Sequence, residues 1–146
     1  MKLFTIGYEG ATQAELIAAL ERAGVKRLID VRQLPLSRRP GFSKTPLRLG
    51  LAEHGIDYVH LKALGTPPEG REAARKGRHE LMAEIYRGTL AEPAAIVAAE
   101  QLRDLATAAP SALLCFEREP THCHRQVLID ETYPDAEVEH LSLIHI

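Results

Sequence analysis

The chain has too few cysteines for a disulfide framework: two in 146 residues, with no C-x-x-C spacing. That count suits a reducing cytoplasm better than a secreted, cross-linked scaffold. No apolar run approaches the roughly 20 residues that span a bilayer, which argues against a membrane helix. Met1-Lys-Leu-Phe-Thr-Ile-Gly7 reads as a strand and lacks the apolar stretch and small-residue cleavage site of a signal peptide. Repeats, low-complexity tracts and interdomain linkers are absent, so residues 1–146 are expected to form one domain around one core. Strong positive charge is missing too. A net charge of −2 and a pI near 6.4 lack the basic footprint of a dedicated nucleic-acid binder. What is present, 45% hydrophobic and 26% charged residues, is the composition of an ordinary globular protein.

The charges are unevenly spread. From Arg32 to Arg48 stand five cations (Arg32, Arg38, Arg39, Lys44 and Arg48) and no carboxylate, while helical segments carry acids such as Glu15, Glu21, Glu92 and Glu100. By charge alone this stretch is either a solvated loop or a phosphate-gripping rim.

Periodicity predicts alternating strands and helices. Leu3–Gly7 is a short apolar strand. Thr12-x-x-Glu15 is a capping box opening a helix that Gly24 ends. Leu28–Val31 is a second buried strand, followed by the basic loop 32–44 and a helix with Thr45 as N-cap and Pro46 at its first position. Ile56–Leu61 alternates like a half-exposed strand. Lys62–Gly77, with Gly65, Pro67, Pro68 and Gly70, is expected to be irregular. Helices follow around Arg78–Arg87 and Pro93–Ala108, then an apolar strand Ala112–Phe116, a helix over about Cys123–Thr132, and a weaker strand Glu137–Leu141. The pattern implies an α/β fold of three layers: an open, mostly parallel five-stranded sheet with helices on both faces. The apolar strands belong in the centre and the alternating ones at the edges. Strand order 3-2-1-4-5 satisfies this. It brings the first and fourth strands together at the switch point where ligands of open α/β sheets bind.

The densest chemistry follows the fourth strand, in Cys115-Phe-Glu117 and Thr121-His-Cys-His-Arg125. A strand-loop-helix junction leaves backbone N–H groups and the positive dipole end at the helix start, which favours an anion or an activated thiol. Cys123 is a candidate nucleophile or redox thiol, or else a small residue packed under the loop. Glu117 is a candidate acid or base, or an exposed loop carboxylate. Cys115 reads as a core thiol. A phosphatase-like Cys-x5-Arg loop is disfavoured, because Ile129 and Thr121 stand six positions beyond Cys123 and Cys115. A zinc site can be drawn from His122, Cys123 and His124 with Cys115 or Glu117. Adjacent residues at a helix start diverge, so no more than two of the three would share one metal, and no metal or other cofactor is expected. Arg125, with His124 beside it, is the leading anion ligand or else an ion-pair partner of Asp30 or Glu117. Arg32, Arg38 and Lys44 fit phosphate contacts, and Tyr8 fits stacking on a base or sugar or a place in the core.

The segments Thr5-Ile-Gly-Tyr-Glu-Gly10, Asp30-Val-Arg32, Pro35-x-Ser-Arg-x-Pro-Gly-Phe-x-Lys44, Gly55-Ile-x-Tyr-x-His-Leu61 with Leu64-Gly65, Leu113-Leu-Cys-Phe-Glu117 and Cys123-His-Arg125 run in one order along nearly the whole chain. In these the sequence resembles the domain of unknown function 488 family of small prokaryotic proteins. The resemblance implies a compact α/β fold and leaves activity open. Some members carry His-Ser where Tyr8-Glu9 stand here.

Two function classes follow. The first is an enzyme with an anion-binding crevice for a phosphorylated or nucleotide-like small molecule, with Arg32, Arg38 and Arg125 holding the anion. The second is a nucleic-acid-binding module whose basic loop 32–48 grips backbone phosphates while Tyr8 or Phe42 stacks on a base.

Overall fold

A computed structural model describes residues 1–119 and 123–143. In chain order its elements are β1 (Lys2–Gly7), α1 (Gln13–Arg22), β2 (Arg27–Asp30), α2 (Lys44–Ala52), β3 (Asp57–His60), a 3-10 turn (Lys62–Leu64), α3 (Pro68–Arg75), α4 (His79–Leu90), α5 (Pro93–Ala108), β4 (Ser111–Cys115), α6 (His124–Thr132) and β5 (Glu137–His140). The five strands form one wholly parallel sheet.

Alternation along the strands divides the core in two. Phe4, Ile6, Leu28, Ala112 and Leu114 face α1 and α2, through Leu16, Leu20, Leu47 and Leu51. Leu3, Ile29, Val31 and Leu113 face the other layer, where Ala73, Met82, Tyr86, Leu102 and Leu128 come from α3 to α6 and Tyr133 follows α6. The three-layer α/β architecture is thus the one the hydrophobic pattern implied.

The strand order is β3-β2-β4-β1-β5, which corrects the expected 3-2-1-4-5. The crossover through α1 skips one position, and β4 later fills that slot between β2 and β1. Every residue of β4 is buried, as its central place requires. Both β1 and β4 are apolar runs, so sequence alone does not rank them for the middle. The edges are as expected, β3 and β5.

Local chemistry explains most boundaries. Thr12 caps α1 by accepting from the Glu15 N–H at 3.1 Å, while the Glu15 carboxylate accepts from the Thr12 N–H at 2.8 Å. Ser43, not Thr45, precedes the first turn of α2. The expected irregular segment 62–77 is corrected: it holds the 3-10 turn and α3. Pro68 occupies the first helical position, where its missing N–H costs nothing. The last helix begins at His124 with Cys123 as N-cap, and Thr121 and His122 lie outside the described residues. None of the described helices is long and apolar enough to cross a membrane.

Candidate functional site

The carboxyl ends of β1 and β4 are locked side by side. Tyr8 N–H donates to the Cys115 carbonyl at 3.2 Å and Glu9 N–H to the Phe116 carbonyl at 2.8 Å. The loop after β4 runs so close over Gly7 that a Cβ there would fall on the Glu117 carbonyl. Glu9 returns the contact, its carboxylate accepting from the Arg118 N–H at 3.0 Å. Beyond these ends lies a crevice of about 270 Å³. Tyr8, Arg32, Phe116, Glu117 and His124 line it from the strand ends, and Leu34, Leu36, Arg71 and Arg75 from the basic loop and α3. It opens at the switch point, as the expected position of β1 beside β4 required.

Arg32 forms the firmest part of the wall. Its Nε and Nη2 donate to the Asp30 carboxylate at 2.9 and 2.7 Å, and its Nη1 donates to the Phe42 carbonyl at 2.8 Å and the Tyr8 hydroxyl at 3.3 Å. The Tyr58 hydroxyl donates to the same carboxylate. Burial by itself would lower the Arg32 pKa; the hydrogen bonds and charge of Asp30, helped by Tyr8, outweigh it and hold the guanidinium above its ordinary value. Burial, reinforced by Asp30, raises the Tyr58 hydroxyl as well. Tyr8 is buried, stacked on Phe42 at 4.5 Å between centroids and met edge-on by Phe116 at 5.3 Å. Its ring is a buttress for the crevice, with Phe116 the more exposed aromatic.

Two imidazoles pin the residues after β2. His60 Nε2 contacts the Arg32 carbonyl at 2.7 Å and His124 Nε2 the Val31 carbonyl at 2.8 Å. A carbonyl only accepts, so each Nε2 carries the proton. Burial lowers the His124 pKa to about 4; the nearby Arg125 charge adds to this, and the Val31 hydrogen bond opposes it. Its bare Nδ1 faces the Cys123 sulfur at 3.7 Å. Cys123 is disulfide-bonded to Cys115, and both are buried. This corrects the reading of Cys115 as a lone core thiol and of the pair as unbridged. With its sulfur bonded and enclosed, Cys123 has no thiolate to offer in this form. The two cysteines stand eight positions apart in the chain, and no local signal pairs them across the β4–α6 loop.

The remaining expected ligands divide. Glu117 and His124 line the crevice, whereas Arg125 does not. The Arg125 side chain is buried near the end of β4, where Nη2 donates to the Arg118 carbonyl at 2.9 Å and Nε and Nη1 have no hydrogen-bond partner among the described residues. Burial lowers its pKa to about 10, against the opposing charges of Glu117 and Glu119. Arg38 and Lys44 are exposed and outside the crevice lining. Arg39 turns inward instead, its Nε donating to the Ala11 carbonyl. Arg71 and Arg75 were not anticipated. They share one face of α3 at i and i+4, a spacing visible in the sequence but read as irregular because of the surrounding Gly and Pro. Arg71 donates to Gln33 and, at 2.9 Å, to the Thr66 carbonyl; Arg75 pairs with Glu72.

Residues 12–132 match the family described as Domain of unknown function DUF488. The chain belongs to this family. No curated protein and no solved structure matches it. Membership assigns no substrate.

Proposed function

We propose that the protein binds a small phosphorylated or nucleotide-like anion in the crevice and acts on it as an enzyme. The observation carrying this reading is the mixed lining. Leu34, Leu36 and Phe116 are 48%, 69% and 46% exposed, and they rim the same hollow as the guanidinium groups of Arg71 and Arg75. Exposed apolar side chains gathered at one concavity suit the body of an organic ligand. Arginine suits its oxyanion, through a planar fork of donors. A base or other ring would lie against Phe116, with the anionic group at Arg71 and Arg75. Arg32 holds the wall through Asp30, and its charge is largely offset there. Glu117 is the carboxylate at the crevice that can accept or deliver a proton. Two cysteines are too few for a disulfide framework, which favours a cytoplasmic setting for this chemistry, with the Cys115–Cys123 bond open there.

The alternative, a nucleic-acid module on loop 32–48, is weaker on geometry. Arg32 and Arg39 of that loop turn inward to Asp30 and Ala11, which leaves Arg38, Lys44 and Arg48 exposed.

Calorimetric titration of the full chain with adenosine monophosphate, ribose 5-phosphate and inorganic phosphate tests the reading. The nucleotide should bind most tightly, and Arg75→Ala should weaken it about 10-fold, a loss of about 1.4 kcal/mol. Arg71→Ala should do at least as much, and Glu117→Gln should abolish turnover while leaving affinity in place. Failure of all three ligands to bind, or affinity unchanged in both arginine variants, overturns the proposal. Tight, steeply salt-dependent binding of single-stranded RNA would transfer support to the alternative.

A further inference from the structure

We propose that the reduced protein carries a three-ligand site for zinc, or a divalent cation of similar softness, made by Cys115 Sγ, Cys123 Sγ and His124 Nδ1. The three donor atoms lie within 4.8 Å of one another, and all three residues are buried. Two thiolates and one imidazole are a donor set that selects such metals over magnesium or calcium. Among the described residues this is the one cluster of histidine, cysteine and carboxylate donors tight enough to hold an ion.

The second observation is the orientation of His124. Its Nε2–H donates to the Val31 carbonyl at 2.8 Å, which fixes the tautomer and leaves the Nδ1 lone pair directed at the cysteine side. Metal-binding imidazoles are commonly held this way, by an outer carbonyl on the opposite ring nitrogen. The Nδ1 to Cys123 Sγ distance of 3.7 Å is close to the edge of a tetrahedron with zinc–sulfur and zinc–nitrogen bonds of about 2.3 and 2.0 Å. Adjacent residues at a helix start would normally diverge. Here Cys123 is an extended N-cap (φ −120°, ψ 148°) and His124 the first helical residue, so their side chains turn to one side. The Cα atoms of Cys115 and Cys123, 7.2 Å apart, leave room for two sulfurs to share an ion once unbonded. His124 also lines the crevice, so the fourth metal position, as in catalytic zinc sites, would be left to water or to an anion from that side.

Loading requires reduction. A phosphine or dithiol supplies two electrons, the sulfur–sulfur bond breaks, and two protons from solvent give two thiols. The cation then displaces both thiol protons to solvent and takes His124 as its third protein ligand. Disulfide and metal are therefore mutually exclusive occupants of one place, and cellular redox state decides between them. This site stands without the proposed crevice ligand, since its donors are tested by metal alone.

The test uses the full chain, reduced with a phosphine under nitrogen, freed of reductant and titrated with Co(II). One equivalent should produce thiolate-to-cobalt charge transfer and tetrahedral d–d absorption, and one equivalent of Zn(II) should erase both. Cys123→Ser and His124→Asn should each weaken binding by more than the roughly 10–100-fold that outer partners contribute. The oxidised protein should give no bands. Absence of bands in the reduced protein, or bands unaltered by His124→Asn, overturns the proposal. Cadmium NMR of the reduced natural sequence needs no variant: a resonance typical of two sulfurs and one nitrogen supports the set, and an all-oxygen position overturns it.

Discussion

Two buried arginines stand near the carboxyl ends of the central strands, and their surroundings differ. Arg32, 7% exposed, spends its guanidinium on Asp30, Phe42 and Tyr8. Arg125, 1% exposed, donates to the Arg118 carbonyl, and among the described residues its Nε and Nη1 have no partner. The first is a charge whose removal from water is offset by a bidentate carboxylate. The second is a charge that burial disfavours and that the charges of Glu117 and Glu119 favour. Burial of an arginine therefore says little about its role until its donors are counted. The sequence puts Arg125 first among anion ligands; among the described residues Arg32 is the more fully paired of the two.

Breaking the satisfied pair should have the largest effect. Asp30→Ala leaves the Arg32 guanidinium buried and uncompensated, and should cost about 3–5 kcal/mol in urea unfolding. A loss under about 1 kcal/mol would mean that Arg32 reaches solvent and that the contrast with Arg125 is false.

Acid probes the ground between the two arginines, because His124 packs beside Arg125 and pins Val31. Its folded pKa of about 4 lies below the ordinary 6.5, so in the interval between them the unfolded chain binds the proton and the folded one does not. Stability must then rise with pH across that window. It should fall by up to the order of 3 kcal/mol as pH drops from about 6.5 to about 4, and be flat in this contribution above 7. His124→Asn should remove that slope in pH-dependent urea curves; an unchanged slope would assign it to other groups.

The smallest effect sharpens the comparison most. Arg125→Met removes an incompletely satisfied buried charge while keeping most of its volume, and should cost no more than about 1 kcal/mol. The exposed Arg38→Ala provides the baseline, within about 0.5 kcal/mol of the natural sequence. A loss above about 3 kcal/mol for Arg125→Met would show that the two donors without a partner among the described residues are occupied in solution, as an anion ligand's would be.

Legibility in the sequence followed the range of the interaction. The capping box at Thr12 and Glu15 was readable because its partners are three residues apart, and the edge strands were readable from their alternation. The helix Pro68–Arg75 was missed because Gly and Pro mark a break in isolation, while Pro68 at a first turn and Gly70 against the Thr66 methyl are compatible with a helix. Of the expected site residues, Tyr8, Arg32, Glu117 and His124 meet at the crevice, since they follow the strands that the switch-point rule brings together. Arg71 and Arg75 arrive from α3, and no local pattern tied that helix to the strand ends.

The amino-acid sequence by itself determined the strands and all the helices but Pro68–Arg75, which strands lie inside, and at which end of the sheet polar chemistry collects. Those properties depend on period, propensity and caps, all local to a few residues. Tertiary structure alone decided that β4 sits between β2 and β1, that Cys115 meets Cys123, and that Arg32 turns to Asp30 while Arg125 turns to the Arg118 carbonyl. Each depends on how segments far apart in the chain share space, and many arrangements satisfy the same hydrophobic pattern until packing selects one.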